Sequence, residues 1–329
     1  MVSPFIADEQ IAPAGEKDLP VFEALFRRYP YKWYQRRIQG IDATLLCQYL
    51  HTGMTHNLAK PQTSGWVVRR GDEPLAAATL SQNPWHERFY GMRMARSNTF
   101  LSYLEPTLTT PMLCDALLAE AENQDYEHLS LRIDGNEYQN LHMLESRGFR
   151  LIDVSTKMSA RIRRAGPIAN KNLRVREYSP QDHDTVIRIS GDCHTGNHLF
   201  NDPNLERHAT RELFRAWVQR CLDNPSRCVY VIEDARLGTM GFVSYLVNRR
   251  LNEALGLRLV ILDYIVLDTE CQGCGIGPVL LEQSLGQLYG MYDLVELRTS
   301  QNNYTALSLY NSYGFQTVTT DFILHWSNH

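Results

Sequence analysis

A shift of 166 residues lays one part of this 329-residue chain over another without a gap. Under it Leu131 meets Leu297, Arg132 meets Arg298, Asn136 meets Asn302 and Tyr138 meets Tyr304. Leu141 then falls on Leu307, Ser146 on Ser312, Gly148 on Gly314 and Phe149 on Phe315. Each copy reads as a strand, a polar loop, a helix and a Gly-Phe that opens a further strand. The repeat predicts two versions of one α/β unit, each large enough to close its own core. Between the copies, Arg161 to Lys171 is basic and carries Gly166-Pro167, which reads as a linker. The expected domains are therefore 1–160, a linker at 161–171, and 172–329.

Downstream of the linker the pattern alternates. Residues 173–177 are a short strand, and 180–192 and 204–222 are helices. The second has an apolar stripe of Leu213, Trp217, Val218 and Cys221. Residues 228–233 and 241–247 form a hairpin, and 259–267 is a central strand. A helix at 278–289, a strand at 294–299, a helix at 303–313 and two closing strands follow. This order predicts a mixed, mostly antiparallel sheet flanked by helices.

The central strand runs into Asp268-Thr-Glu-Cys-Gln-Gly-Cys-Gly-Ile-Gly277 and then into a helix. Glycines at 273, 275 and 277 let a ligand approach the main chain closely. The first N–H groups of the next helix carry partial positive charge, so the two together make a pyrophosphate cradle. The G-x-G-x-G spacing is not that of a dinucleotide site, and no Lys-Ser/Thr completes a P-loop. A tight strand–helix turn would use the same glycines, and the residues alone leave that reading open. Cys271 and Cys274 form a C-x-x-C, but no second pair or clustered histidines complete a zinc site, so no metal is expected. The seven cysteines read as reduced thiols filling apolar gaps.

Gln272-x-x-Gly275-x-Gly277 is followed, one helix and one strand later, by Asn303-x-x-Ala306-x-x-Leu309-Tyr310-x-x-x-Gly314-Phe315. In order and separation these resemble the paired signatures of the GNAT-type N-acetyltransferases. The resemblance implies a GNAT fold in two tandem GNAT-like domains, with acetyl-CoA as co-substrate. It implies that the amides of Gln272, Gly273, Cys274, Gly275, Ile276 and Gly277 hold the pyrophosphate. The backbone of Ile265, Val266 and Leu267 would pair with the pantetheine arm and support the thioester carbonyl. Asn303 would reach the pantetheine, and Tyr310 would protonate the departing thiolate, a step a positioned phenol can supply. Asn303 as a helix cap and Tyr310 as a packing aromatic are the plainer alternatives. Direct transfer also needs a neutral amine, and Asp263 on the central strand is the candidate base. Strict alternation puts Asp263 on the face of Ile261 and Ile265, with Tyr264 on the other. A structural carboxylate within the sheet is the alternative there.

Two further segments carry a narrower resemblance. Pro84-Trp-His-Glu-Arg-Phe-Tyr-Gly-Met-Arg-Met-Ala-Arg96, and Gly196-Asn-His-Leu-Phe-Asn-Asp-Pro203 followed by Leu213-Phe-Arg-Ala-Trp-Val218, are similar to stretches of the dTDP-fucosamine acetyltransferases. Those enzymes acetylate an amino group on a nucleotide-linked sugar. The similarity implies His198 and Phe200 as acceptor-binding residues, although His198-Leu199 stands where that group has Arg-Phe and His86 where it has Asp. Mycothiol-synthase-like and peptide amines are further acceptor classes, and a non-catalytic acyl-CoA sensor is a reading of another kind. In the first copy Leu144 stands at the place of Tyr310 and Glu137 at that of Asn303, with no glycine-rich loop before them. The N-terminal unit is therefore expected to have lost the chemistry and to help shape the acceptor cleft.

Composition sets the remaining expectations. No run approaches the ~18 apolar residues of a membrane span, and a net charge of −4 argues against nucleic acid or anionic lipid as the main partner. The N-terminus lacks a basic start and an apolar core, so a cytoplasmic location is expected. A small-molecule amine is the expected partner, with a homodimer as an expected assembly.

Overall fold

The computed structural model describes residues 9–31, 41–193 and 196–328. The chain divides into two compact units, Met1–Val154 with Thr320–His329, and Ser155–Thr319. The first unit has strands β1 (Glu9–Ala14), β2 (Thr63–Arg70), β3 (Glu73–Gln82), β4 (Met94–Leu101) and β5 (His128–Asp134). Its helices are α1 (Leu19–Arg28), α2 (Ala43–Leu58), α3 (Pro84–Tyr90), α4 (Pro106–Asn123) and α5 (Tyr138–Glu145). The strands lie in the order β1-β2-β3-β4-β5, antiparallel except for the parallel pair β4–β5. A sixth strand is supplied by the end of the chain, Asp321–Ser327, laid antiparallel on β5.

Sequence explains why this sheet is sandwiched. β3 reads Leu-Ala-Ala-Ala-Thr-Leu, small and buried throughout. Ala76, Ala78 and Leu80 pack into one core with Leu113, Leu117 and Phe149, while Ala77 joins Phe22, Leu25 and Val67 on the opposite side. Helix α4 presents Thr109, Thr110, Leu113, Cys114, Leu117 and Ala121 inward, at three- and four-residue spacing. Burying each leucine stabilises by roughly 1.5–3 kcal/mol.

The second unit begins inside strand β6 (Arg150–Arg161) and continues with β7 (Leu173–Glu177), β8 (Arg227–Asp234), β9 (Gly238–Leu246), β10 (Leu259–Leu267), β11 (Leu294–Ser300) and the start of β12 (Gln316–Ser327). Its helices are α6 (His183–Asp192), α7 (His198–Asn201), α8 (Arg207–Leu222), α9 (Arg249–Leu255), α10 (Ile276–Leu288) and α11 (Tyr304–Tyr313). Ser155–Arg161 of β6 pairs with β11, β11 runs parallel to β10, and β10-β9-β8-β7 follow antiparallel. This is the mixed, mostly antiparallel sheet that the sequence predicts. Among the described residues no helix is long and apolar enough to cross a membrane.

Several details depart from the sequence reading. The unit boundary falls at Val154, not 160, so Ser155–Arg161 belongs with the second unit and Thr320–His329 with the first. The two closing strands are one continuous strand, β12. Helix α8 starts at Arg207, after an extended Glu206, three residues later than expected. Helices α7 and α9 escape the periodicity because four and seven residues are too few to show it.

Both units open a gap in the same place. β10 and β11 pair only over Leu259–Leu262 and Leu294–Leu297. Where they part, the register of β10 against β9 shifts by one residue between Leu262 and Tyr264. β4 and β5 pair only over Met94–Ser97 and His128–Leu131, and a one-residue shift against β3 again follows. An extra residue bends the strand and reverses the side-chain parity beyond it. Val260 and Leu262 before the bulge, and Ile265 and Leu267 after it, pack toward α10 and α11, whereas Tyr264 and Val266 join the core under α6 and α8. Asp263 therefore shares the face of Tyr264, which corrects the expectation from strict alternation.

Candidate functional site

β10 leads through a short turn at Thr269–Cys271 to Gln272, which is extended, and then to Gly273 and Gly275, whose φ values of 75° and 74° suit glycine. The loop is tied down at its start. Asp268 N–H donates to Met240 O at 2.8 Å, Arg188 pairs with Asp268 at 2.6 Å, and Cys193 Sγ lies 3.3 Å from Thr269 Oγ1. Gln272 turns its amide back onto Leu267 O at 3.2 Å. The N–H groups of Gly273, Cys274, Gly275, Ile276 and Gly277 then donate to no carbonyl or side chain among the described residues. Pro278 adds no N–H. Five consecutive free amides at the start of a thirteen-residue helix form a concentrated donor set for an anion. A Cβ on Gly277 would point between Leu309 and Leu267, 3.7 and 3.8 Å away.

On the α10/α11 side of the sheet, Asn303 caps α11 by accepting from Ala306 N–H at 3.2 Å, as the plainer reading of that residue has it. Its Nδ2 faces Gly196, where an added Cβ would lie 2.7 Å away. Tyr310 is 4% exposed in the core with Leu280, Leu297 and Phe315, and its ring centroid lies 5.6 Å from that of Phe315. Its hydroxyl makes no hydrogen bond among the described residues. Burial pushes its pKa up from the usual phenol value, so it holds its proton at neutral pH.

The opposite side carries Asp263. One carboxylate oxygen, Oδ2, accepts from Arg227, whose guanidinium also lies 3.4 Å from Ser244 Oγ and 5.3 Å from the Trp217 ring. The other, Oδ1, is buried and has no hydrogen-bond partner among the described residues. Burial raises the carboxyl above its usual range, and Arg227 offsets part of that rise. Trp217, Phe242 and Phe214 surround Tyr264 at ring distances of 5.4, 5.4 and 6.1 Å. Phe200 stacks on Phe214 at 5.9 Å, and His198 opens the same short helix. The candidates thus divide into three groups: the amides at 273–277, Asn303 and Tyr310 on one face, and Asp263 with the aromatic wall on the other. Arg227 and Ser244 escaped the sequence reading, and Trp217 entered it as part of a helix stripe and not as a partner of Arg227. Arg227 lies 36 residues from Asp263 in the chain, so no local pattern links them.

The corresponding gap of the first unit is filled by protein. Glu137 accepts from Asp134 N–H at 2.8 Å, Tyr29 OH at 2.9 Å and Asn140 Nδ2 at 2.9 Å. Asn140 in turn donates to Ser102 O, and Ser102 Oγ meets Thr109 and Thr110 at 2.6 Å. This network ties the end of β4 to α4 and α5, where the second unit has free amides. Leu101 reaches α4 by a short link without glycine.

The network also titrates. Burial pushes the Glu137 carboxyl up to about 7, against about 4.3 in an unfolded chain. The folded state then holds the proton longer, so stability from this group is full below about 4 and is lost as pH rises toward 7. His86 in the same unit, pushed down to about 4 by burial and nearby positive charge, acts in the opposite direction. The stability of wild type relative to Glu137→Gln should therefore decline between about pH 4 and 7. Thermal melts of both proteins across that range would show it, and a constant difference would remove Glu137 from the titration.

Residues 225–317 match the family model of the acetyltransferase (GNAT) domain, so the second unit carries that domain. No curated protein matches the chain in sequence. Among solved structures, a GCN5-related N-acetyltransferase from Sphaerobacter thermophilus is 14% identical, covers 97% of this chain and 95% of its own, and has a TM-score of 0.65. A tandem GNAT protein from the clavulanic acid biosynthesis pathway, solved without AcCoA, is 15% identical over 97% and 98% of the two chains, with a TM-score of 0.56. A glucosamine N-acetyltransferase region of a fungal multi-domain β-N-acetylglucosaminidase gives 10% identity and a TM-score of 0.63 over 98% of this chain and 38% of that one. These likenesses give the fold: two GNAT-like units in tandem.

Proposed function

We propose that the second unit transfers an acetyl group from acetyl-CoA directly to a primary amine of a small molecule, with a nucleotide-linked aminosugar as the favoured class. The observation that carries this reading is the arrangement around the bulge of β10. Five free amides follow the strand, Tyr310 lies on one face with its phenol protonated, and Asp263 lies on the other with a free carboxylate oxygen. In this reading the amides of Gly273 to Gly277 bind the pyrophosphate, and the edge of Ile265 to Leu267, beyond the reach of the pairing with β11, takes the pantetheine. Gln272 helps through its bond to Leu267 O, and the amide of Asn303 borders the same channel. The amine approaches from the Asp263 side, gives up its proton there, and attacks the thioester. The thiolate leaves on the other side and takes the phenol proton. Acid and base on opposite faces avoid neutralising each other before the reaction. His198 and Phe200 border the acceptor side, and the first unit, its own gap filled, contributes no chemistry.

The decisive experiment is release of free thiol from acetyl-CoA by the purified protein across a panel of dTDP- and UDP-aminosugars, aminoglycosides and peptides. Thiol released only when an amine is supplied supports transfer; binding without release would leave a sensor. The base makes a separate prediction. Since burial raises the Asp263 pKa, kcat/KM should climb with pH along a limb that lies above the usual carboxylate range of about 4. Asp263→Asn should lose that limb and at least about 100-fold in rate. An unchanged profile in the variant would reassign the base.

A further inference from the structure

Cys271 and Cys274 form a C-x-x-C in the loop that carries the free amides, and acetyl transfer uses neither thiol. Gln272 between them has φ −70° and ψ 147°, and Gly273 has φ 75°, the backbone of a type II turn. Such a turn holds its first and fourth Cα atoms within about 7 Å. A disulfide needs Cα atoms roughly 4.4–6.8 Å apart, so the two cysteines start close to bonding range. Their surroundings differ. Cys271 is half-buried and packs against the core beneath α10, and its main-chain N–H donates to Asp268 O at 2.9 Å. Cys274 is exposed, with its Sγ 3.7 Å from Gln272 O. The peptide joining Gln272 to Gly273 is trans, so that carbonyl points away from the Gly273 N–H. The Cys274 thiol therefore stands behind the amide that would face an anion.

We propose that Cys271 and Cys274 are a redox-modification site, closed to a disulfide by a low-molecular-weight disulfide such as that of glutathione, and that closure weakens coenzyme binding. This rests on the amides at 273–277 taking the pyrophosphate. The exposed Cys274 thiolate attacks one sulfur of the reagent, forms a mixed disulfide and expels the first thiolate. Burial raises the pKa of Cys271, with Asp268 and Cys274 adding to the rise, so the exposed thiol reacts first. The Cys271 thiolate then attacks Cys274 Sγ and expels the second thiolate. Two protein thiols are oxidised, and their two electrons and two protons end on the two thiols released. For the second attack Cys271 leaves its seat against the core, and Cys274 swings off Gln272 O. The N–H groups of Gly273 and Cys274, two of the five free amides, lie inside the ring that the new bond closes. The bond then dictates where they point, and the donor set loses the alignment that suits an anion. By linkage, bound coenzyme opposes closure by the same factor.

The test treats the full chain with glutathione disulfide and maps the resulting bonds by peptide mass. Calorimetry then measures binding of desulfo-coenzyme A, which has no thiol of its own. Oxidised wild type should carry the Cys271–Cys274 bond and keep its far-ultraviolet spectrum. It should bind about ten-fold or more weakly than the reduced protein, the scale of one or two lost charge-assisted donors. Dithiothreitol should restore the affinity, and saturating desulfo-coenzyme A should protect the thiols from closure. Cys271→Ser should stop at one glutathionyl group on Cys274, the trapped product of the first attack. No bond, a bond mapped to another pair such as Cys193–Cys271, or equal affinity in the mapped disulfide form would overturn the switch and leave the coenzyme reading intact. Absence of binding by reduced wild type would overturn both.

Discussion

Tyr310→Phe should lower turnover about 100-fold or more while leaving acetyl-CoA affinity close to wild type. Among the described residues the phenol oxygen makes no hydrogen bond, so its removal orphans no partner there and costs the fold little. The ring itself, packed against Phe315, is retained in the variant. What disappears is the proton for the leaving thiolate, a group needed in the transition state and not for binding. Burial strengthens the case, because a phenol whose pKa is pushed upward keeps its proton until sulfur develops charge. Single-turnover thiol release separates the two effects. Unchanged turnover would return Tyr310 to a packing role, and a parallel loss of affinity would make it a binding residue.

Gly277→Val should abolish coenzyme binding and leave the fold nearly intact. The position has ordinary helical geometry, and its nearest neighbours stand 3.7–3.9 Å from an added Cβ, which is normal contact. The branched side chain would nevertheless stand between Leu267 and Leu309, directly beside the free amides. Gly275→Val should also block binding, but its φ of 74° adds backbone strain, so its melting temperature should fall as well. Wild-type calorimetric affinity for coenzyme A in a folded Gly277→Val protein would reduce the loop to a turn.

Much of this was legible in the sequence because it is local. The glycine spacing, the helix start after it and the Asn303-to-Phe315 run each occupy about a dozen residues and follow from backbone chemistry. The repeat anticipated that β5 with α5 and β11 with α11 would be built alike. Other features depend on contacts far apart in the chain. The bulge at Asp263 leaves no mark on hydrophobic alternation, so side-chain parity was misjudged from there onward. Arg227 was just another basic residue until the fold brought it to Asp263. The filling of the first gap needed Tyr29 to meet Glu137, 108 residues away. Local pattern also cannot say which sheet a strand will join, which is why Ser155–Ala160 read with the first domain and Thr320–His329 with the second, whereas the compact units group them the other way.

That last assignment matters for how the protein is made. Synthesis delivers β5 early, but the strand that covers its edge emerges only after the 165 residues Ser155–Thr319. At about 5–20 residues per second the nascent first unit waits roughly 8–30 s with that edge unpaired. An open strand edge is a template for pairing with other chains, so this interval is when a ribosome-bound chaperone has most to protect. Truncation would also act out of order. A stop codon just after Thr319 would spare every residue assigned to acetyl transfer and yet leave the N-terminal unit unfinished.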